Sequence, residues 1–261
     1  MPVKVTRGPY GMNQFAGHLG LARWQMRVGL ESGVLPGPDL EGERWSAALV
    51  ERAEGLGERV VAEFGDDPPV GSAKAAARLA ERVGLDVERR DVEVLVAQGV
   101  LNVVSSFRGH PVYLLRDLDR LDPAAVRSVV AARKGPLIDT VDSGGAATIL
   151  GWPRRTFDRV AAERKLAADR LGRYPLADVR ALGADETLAR QVAEEKRELT
   201  LSKMRRAEER LRESIHAWLD RCSAYLARDV DTPPDTASLS RALRGLTTLR
   251  AEAAKQERTP A

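Results

Sequence analysis

Arginines set on one side of a helix are where this sequence offers chemistry. Between Gly151 and Leu166 the chain reads GWPRRTFDRVAAERKL, with Phe157 and Val160 on one helical face and Arg154, Arg155, Thr156 and Arg159 on the other. A guanidinium is a planar fork of donors that matches phosphate oxygens or the O6 and N7 of guanine. A solvated face is the plainer alternative in a chain with 30% charged residues. Other chemistries have less to build on. His18, His110 and His216 lie in three separate segments with no cysteine or acidic residue at ligand spacing, so no metal site is expected. The lone Cys222 can form neither an internal disulfide nor a multi-cysteine cluster. The chain has no GxxxxGK[ST], no dinucleotide fingerprint after a strand and no GxSxG, and Ser143-Gly144-Gly145 reads as a turn and N-cap. Neither catalysis nor a cofactor is expected.

The elements that would hold these arginines follow from the flanking residues. Ala146, Ala147 and Leu150 give the apolar face of a short first helix, Gly151 the turn, and Pro153 the first residue of a second helix, where its missing N–H costs nothing. After Leu166 a polar hairpin bends at Gly172. It leads to Tyr174 and a third helix starting at Pro175, with Leu176, Val179 and Leu182 inward. Leu150-Gly151, Arg154-Arg155-Thr156-Phe157, Lys165-Leu166 and Arg173-Tyr174-Pro175-Leu176-Ala177-Asp178-Val179 up to Leu182 together resemble a winged helix-turn-helix of the MerR and excisionase type. Asp158, Arg159 and Val160 stand where many MerR proteins carry an aromatic pair, so the looser excisionase-like group fits as well. In that family the second helix enters the DNA major groove and the hairpin, or wing, touches the backbone or minor groove. The resemblance implies that Arg154, Arg155, Thr156 and Arg159 face DNA, with Arg170 and Arg173 on the wing.

The pattern recurs. Phe15–Leu35 aligns without a gap on residues 146–166 at a constant offset of 131, placing Gly20 on Gly151, Arg23 on Arg154 and Met26 on Phe157. Trp45 then falls on Tyr174, after a hairpin two residues longer. In this N-terminal copy the outward positions are Arg23, Gln25 and Arg27, with Arg44 on the wing. Gly65-Asp66-Asp67-Pro68-Pro69 reads as a linker, and a third copy follows it, with Gly84 at the turn and Tyr113 under Tyr174 at an offset of 61. Its second helix, residues 86–98, carries Asp86, Glu88, Asp91 and Glu93. Carboxylates near phosphates cost affinity, so this helix reads as a packing or partner surface, with Arg108 left as the one DNA contact its wing offers.

Asp122-Pro123 starts a further helix with Val126, Val129 and Val130 on one face. From Asp185 to Arg228 no proline or glycine interrupts, and Met204, Ala207, Leu211, Ile215, Trp218, Cys222 and Tyr225 follow a mean spacing of 3.5. Two readings stand for that seam: a homodimer interface, or an antiparallel pair with the last helix across Thr232-Pro233-Pro234-Asp235. Lys203, Arg205, Arg206, Arg210 and Arg212 are balanced by nearby glutamates.

The expected fold is mostly α. Three tandem winged helix-turn-helix units with small β wings (residues 12–64, 70–135 and 139–183) precede a long C-terminal helix and a final helix (185–258). The expected function is sequence-specific binding of double-stranded DNA by a transcriptional regulator. Accessory work for a mobile element (an excisionase-like directionality factor, or plasmid replication or partition) is an alternative, and a protein-binding adaptor is another. Expected partners are duplex DNA, a second copy through the C-terminal helix and a protein on the middle unit. With no run of about 18 apolar residues and no apolar signal core at the N-terminus, no membrane is involved and the location is cytoplasmic, nucleoid-associated.

Overall fold

The computed structural model describes residues 9–258, and they are mostly helical with small antiparallel sheets. Two compact units result. One holds the described residues up to Arg154 together with Lys165–Ala177; the other holds Arg155–Arg164 and the described residues from Asp178 onward.

In the first unit the chain opens with α1 (Met12–His18) and α2 (Arg23–Glu31), joined by a turn in which Gly20 takes a φ of 67° that a side chain resists. α3 (Ala47–Arg52) starts at Ser46, whose hydroxyl accepts from Leu49 N, and α4 (Leu56–Phe64) follows. Phe15, Met26, Val28, Trp45, Val50 and Val60 form the core of this block, and the Trp45 indole donates to Pro36 O at 2.9 Å. Close approach fixes two glycines. A Cβ on Gly57 would lie 2.5 Å from Leu19 O, and one on Gly29 would lie 2.8 Å from a Leu35 methyl.

The linker after Phe64 does not separate the next block. Leu114 joins the first core, and Arg116 donates to Ala62 O at 2.9 Å. This middle block has β1 (Val70–Gly71), α5 (Ser72–Val83), α6 (Arg89–Ala97), β2 (Ser105–Phe107), β3 (His110–Tyr113), α7 (Leu115–Arg120) and α8 (Pro123–Lys134). Its sheet has the order β1-β3-β2. Asp122 caps α8, accepting from Ala124 N at 2.9 Å, and Val126, Val129 and Val130 are buried as their spacing requires.

Asp86, Glu88 and Asp91, before and on α6, are met by α8. Asp91, 1% exposed, accepts from Arg133 Nε and caps its own helix by accepting from Glu88 N at 2.8 Å. Arg133 also pairs with Glu88 at 2.7 Å, while Lys134 Nζ reaches Asp86 Oδ2 at 3.1 Å and Thr140 O at 2.6 Å. Burial works against the Arg133 charge, but the hydrogen bond and charge of Asp91 outweigh it and raise its pKa. Of the two expectations for this helix, packing or a partner surface, the ion pairs supply packing.

The first unit ends with β4 (Thr140–Val141), α9 (Ser143–Ile149), which buries Ala146, Ala147 and Ile149, and β5 (Tyr174–Pro175), antiparallel to β4. Ile149 takes the inward place expected of Leu150, which is half-buried at the C-cap. The order helix, left-handed glycine, helix occurs three times, at Gly20, Gly84 and Gly151. Each time the strand before the first helix pairs with the aromatic residue that precedes the third: Tyr10 with Trp45, Val70 with Tyr113, Val141 with Tyr174. The three aromatics are those aligned by sequence.

The second unit contains α10 (Arg154–Glu163) from Arg155 onward, α11 (Leu176–Ala184) from Asp178 onward, α12 (Glu186–Leu226) and α13 (Thr236–Arg258). The expected third winged unit, 139–183, is therefore shared between the two units. Asp185 caps α12 by accepting from Thr187 N and Leu188 N. The 3.5-residue seam of α12 faces α13 in an antiparallel hairpin: Trp218 Nε1 donates to Asp235 O, Leu211 lies beside Gly245, and Arg250 pairs with Glu208 at 3.0 Å. Of the two readings of the seam, the intrachain pair is the one formed. No described helix is long and apolar enough to cross a membrane.

Candidate nucleic-acid interface

α2 presents its side chains in an order the helical wheel only half anticipates. Met26 and Val28 point into the core, and Trp24 packs against that core from its edge. Gln25, expected outward, is 5% exposed. Its Oε1 accepts from Ala22 N at 2.9 Å and its Nε2 donates to Gly65 O at 2.8 Å, so it caps α2 and ties it to the end of α4. Gln25 is therefore a structural residue, because a buried amide must satisfy both its donor and its acceptor. Arg23 is exposed and Arg27 half-exposed, and both line one cleft.

The opposite wall of that cleft is the β2–β3 hairpin. Phe107 and His110 flank its two-residue turn, where Arg108 and Gly109 have φ of 52° and 78°. Two left-handed residues match the twist of a tight hairpin, and they leave Phe107 53% exposed at the tip. The Arg27 guanidinium lies 5.7 Å from the Phe107 ring centroid and that of Arg108 lies 5.4 Å away. Trp24, His110 and the rigid pair Pro68-Pro69 complete a cleft of about 840 Å³ whose lining carries two arginines and no carboxylate. Arg27 Nε is shielded from solvent and makes no hydrogen bond; Glu31 Oε1 stands 3.8 Å from it. Helix spacing identified Arg23 and Arg27. Phe107 carried no local signal, since its role depends on a hairpin that sits far along the chain.

The remaining expected residues are dispersed. Arg44 is exposed beside a turn through Gly42 and Glu43, with Leu40 bridged to Arg44, and two glutamates dilute its charge. In the first unit Arg170 is exposed, whereas Arg173 is half-buried and donates from Nε to Thr140 Oγ1 at 2.9 Å and from Nη2 to Thr140 O at 3.1 Å. Arg173 therefore holds its loop against the strand. Arg154 and Arg155 are exposed. In the second unit Thr156 corrects the outward expectation: it is 2% exposed and donates to Glu195 Oε1 of α12 at 3.0 Å. Arg159 pairs with Glu195 at 2.8 Å and Glu163 at 3.1 Å. Hydrogen bonds to Glu163 and then to Glu195 raise its pKa.

No family model, curated protein or solved structure matches this chain. The geometry alone must carry the functional reading. Among the described residues no group of three or more His, Cys, Asp or Glu is placed to hold a metal ion. What the surface offers is guanidinium groups beside exposed aromatic rings.

Proposed function

We propose that this protein binds double-stranded DNA sequence-specifically as a transcriptional regulator, built on winged helix-turn-helix units. The observation that carries the reading is a cleft between α2 and the β2–β3 hairpin whose lining holds Arg23 and Arg27 and no carboxylate, with Arg108 on the hairpin turn beside it. Arg23 and Arg27 suit guanine or phosphate acceptors, and Arg108 suits phosphates. Arg154, Arg155 and Arg170 are further candidate contacts, each taken by itself, and Arg44 adds a weaker one.

Selection of bound duplex DNA from a random library tests this, using the native chain, Arg23→Ala with Arg27→Ala, and Arg154→Ala with Arg155→Ala, at two salt concentrations. A recovered motif that either pair of substitutions weakens or relaxes supports direct readout, with about 1–3 kcal/mol of discrimination for each good bidentate pair. Binding that is indifferent to sequence, or unchanged in both variants, overturns it.

A further inference from the structure

We infer that the cleft between α2 and the β2–β3 hairpin takes a single nucleotide whose base is not stacked in a duplex, the base lying on its aromatic wall and the phosphate on Arg23 and Arg27. This rests on the reading that the chain binds DNA.

The cleft suits a nucleotide more than a duplex surface. A duplex backbone needs only cations and donors, and its bases already stack on one another. Here the cations share a concave site with Trp24, Phe107 and His110. At about 840 Å³ the space is of the size that takes a small organic ligand. Rings of this kind stack on any base that has left its neighbours, and arginines beside them meet its phosphate. Arg27 supports the assignment, because its guanidinium lies 5.7 Å from the ring that would take the base and is paired only loosely with Glu31, at 3.8 Å. Pro68-Pro69 and Pro111 stiffen the walls, so little conformational freedom is lost when the cleft fills.

The test is fluorescence anisotropy with three labelled DNAs: a paired duplex, the same duplex with one unpaired central nucleotide, and a short oligothymidine. The native chain is expected to prefer the bulged over the paired duplex by about tenfold, the scale of one stacked base. Phe107→Ala should abolish that preference by lowering bulged-duplex affinity well beyond any loss for the paired duplex, and Phe107→Trp should keep it. Phe107 is half-exposed at a hairpin tip, so neither variant removes a core residue. Equal binding of both duplexes by the native chain, or equal weakening of both by Phe107→Ala, overturns the inference while the DNA reading stands. If neither duplex binds, the DNA reading fails, and the oligothymidine decides the cleft: binding lost in Phe107→Ala supports it, and no binding overturns it. Competition by a free deoxynucleoside monophosphate assigns the same chemistry to a small-molecule source; its absence assigns it to a strand.

Discussion

Asp91 is a charged residue whose work is internal. Its carboxylate accepts from Arg133 at 2.8 and 3.0 Å and from Glu88 N, and its side chain is 2% exposed. Removing its charge leaves Arg133 with Glu88, a more exposed counter-charge, as its remaining acidic partner. Asp91→Asn should therefore cost about 1–3 kcal/mol, read as a lowered urea midpoint with an unchanged slope; a loss within error of zero would show that water already screens the pair. Asp119 belongs to a more exposed pair. Chiefly the hydrogen bond from Arg78 holds its carboxyl below the ordinary aspartate range. Its folded pKa is depressed, so the stability it gives is present above about pH 4 and is lost as pH falls through its lowered folded value. In urea titrations at stepped pH, native minus Asp119→Asn stability should be positive near neutrality and shrink toward zero in acid. A gap that persists below about pH 2 would contradict that linkage.

At the scale of elements, α10 is the helix whose outer face is partly taken. Glu195 on α12 accepts from Thr156 and pairs with Arg159, so two of the four residues expected to face DNA are engaged within the second unit. If α10 reads DNA, Glu163→Ala with Glu195→Ala should free the Arg159 cation from both its partners. Affinity for a selected duplex should rise, and the slope of log affinity against log salt should steepen by about one contact. Unchanged affinity and slope would place Arg159 outside the interface. The helices, their glycine turns and the recurring aromatic at 45, 113 and 174 were legible because periodicity and turn chemistry are local. Gln25 and Thr156 were misread for the opposite reason. A helical wheel marks one core face, while the second face of α2 meets Gly65 and that of α10 meets Glu195, both remote in sequence. The acidic character of residues 86–91 was visible, but its satisfaction by Arg133 and Lys134 required knowing that α8 returns to α6.

For the whole molecule, charge is nearly balanced: 41 basic against 38 acidic residues give a formal net charge of +3. Long-range steering toward DNA is then weak, and affinity must come from local clusters. The C-terminal hairpin adds little to them. Arg212 pairs with Glu208 at 3.2 Å and Glu208 in turn meets Arg250, so these two cations are met by the hairpin's own acid. The arginines proposed to meet DNA are Arg23, Arg27, Arg44, Arg154, Arg155 and Arg170, with Arg108 on the middle hairpin. If these contact phosphate or base in the bound state, the slope of log affinity against log salt should lie near −5 to −6, at roughly 0.9 per phosphate neutralised. Arg27→Ala and Arg155→Ala should each reduce its magnitude by about one, whereas Arg205→Ala with Arg206→Ala on α12 should leave it within error. A slope near −2 that the α12 pair reduces would move the DNA contact to the C-terminal hairpin, and it would remove the proposed arginine contacts from the interface.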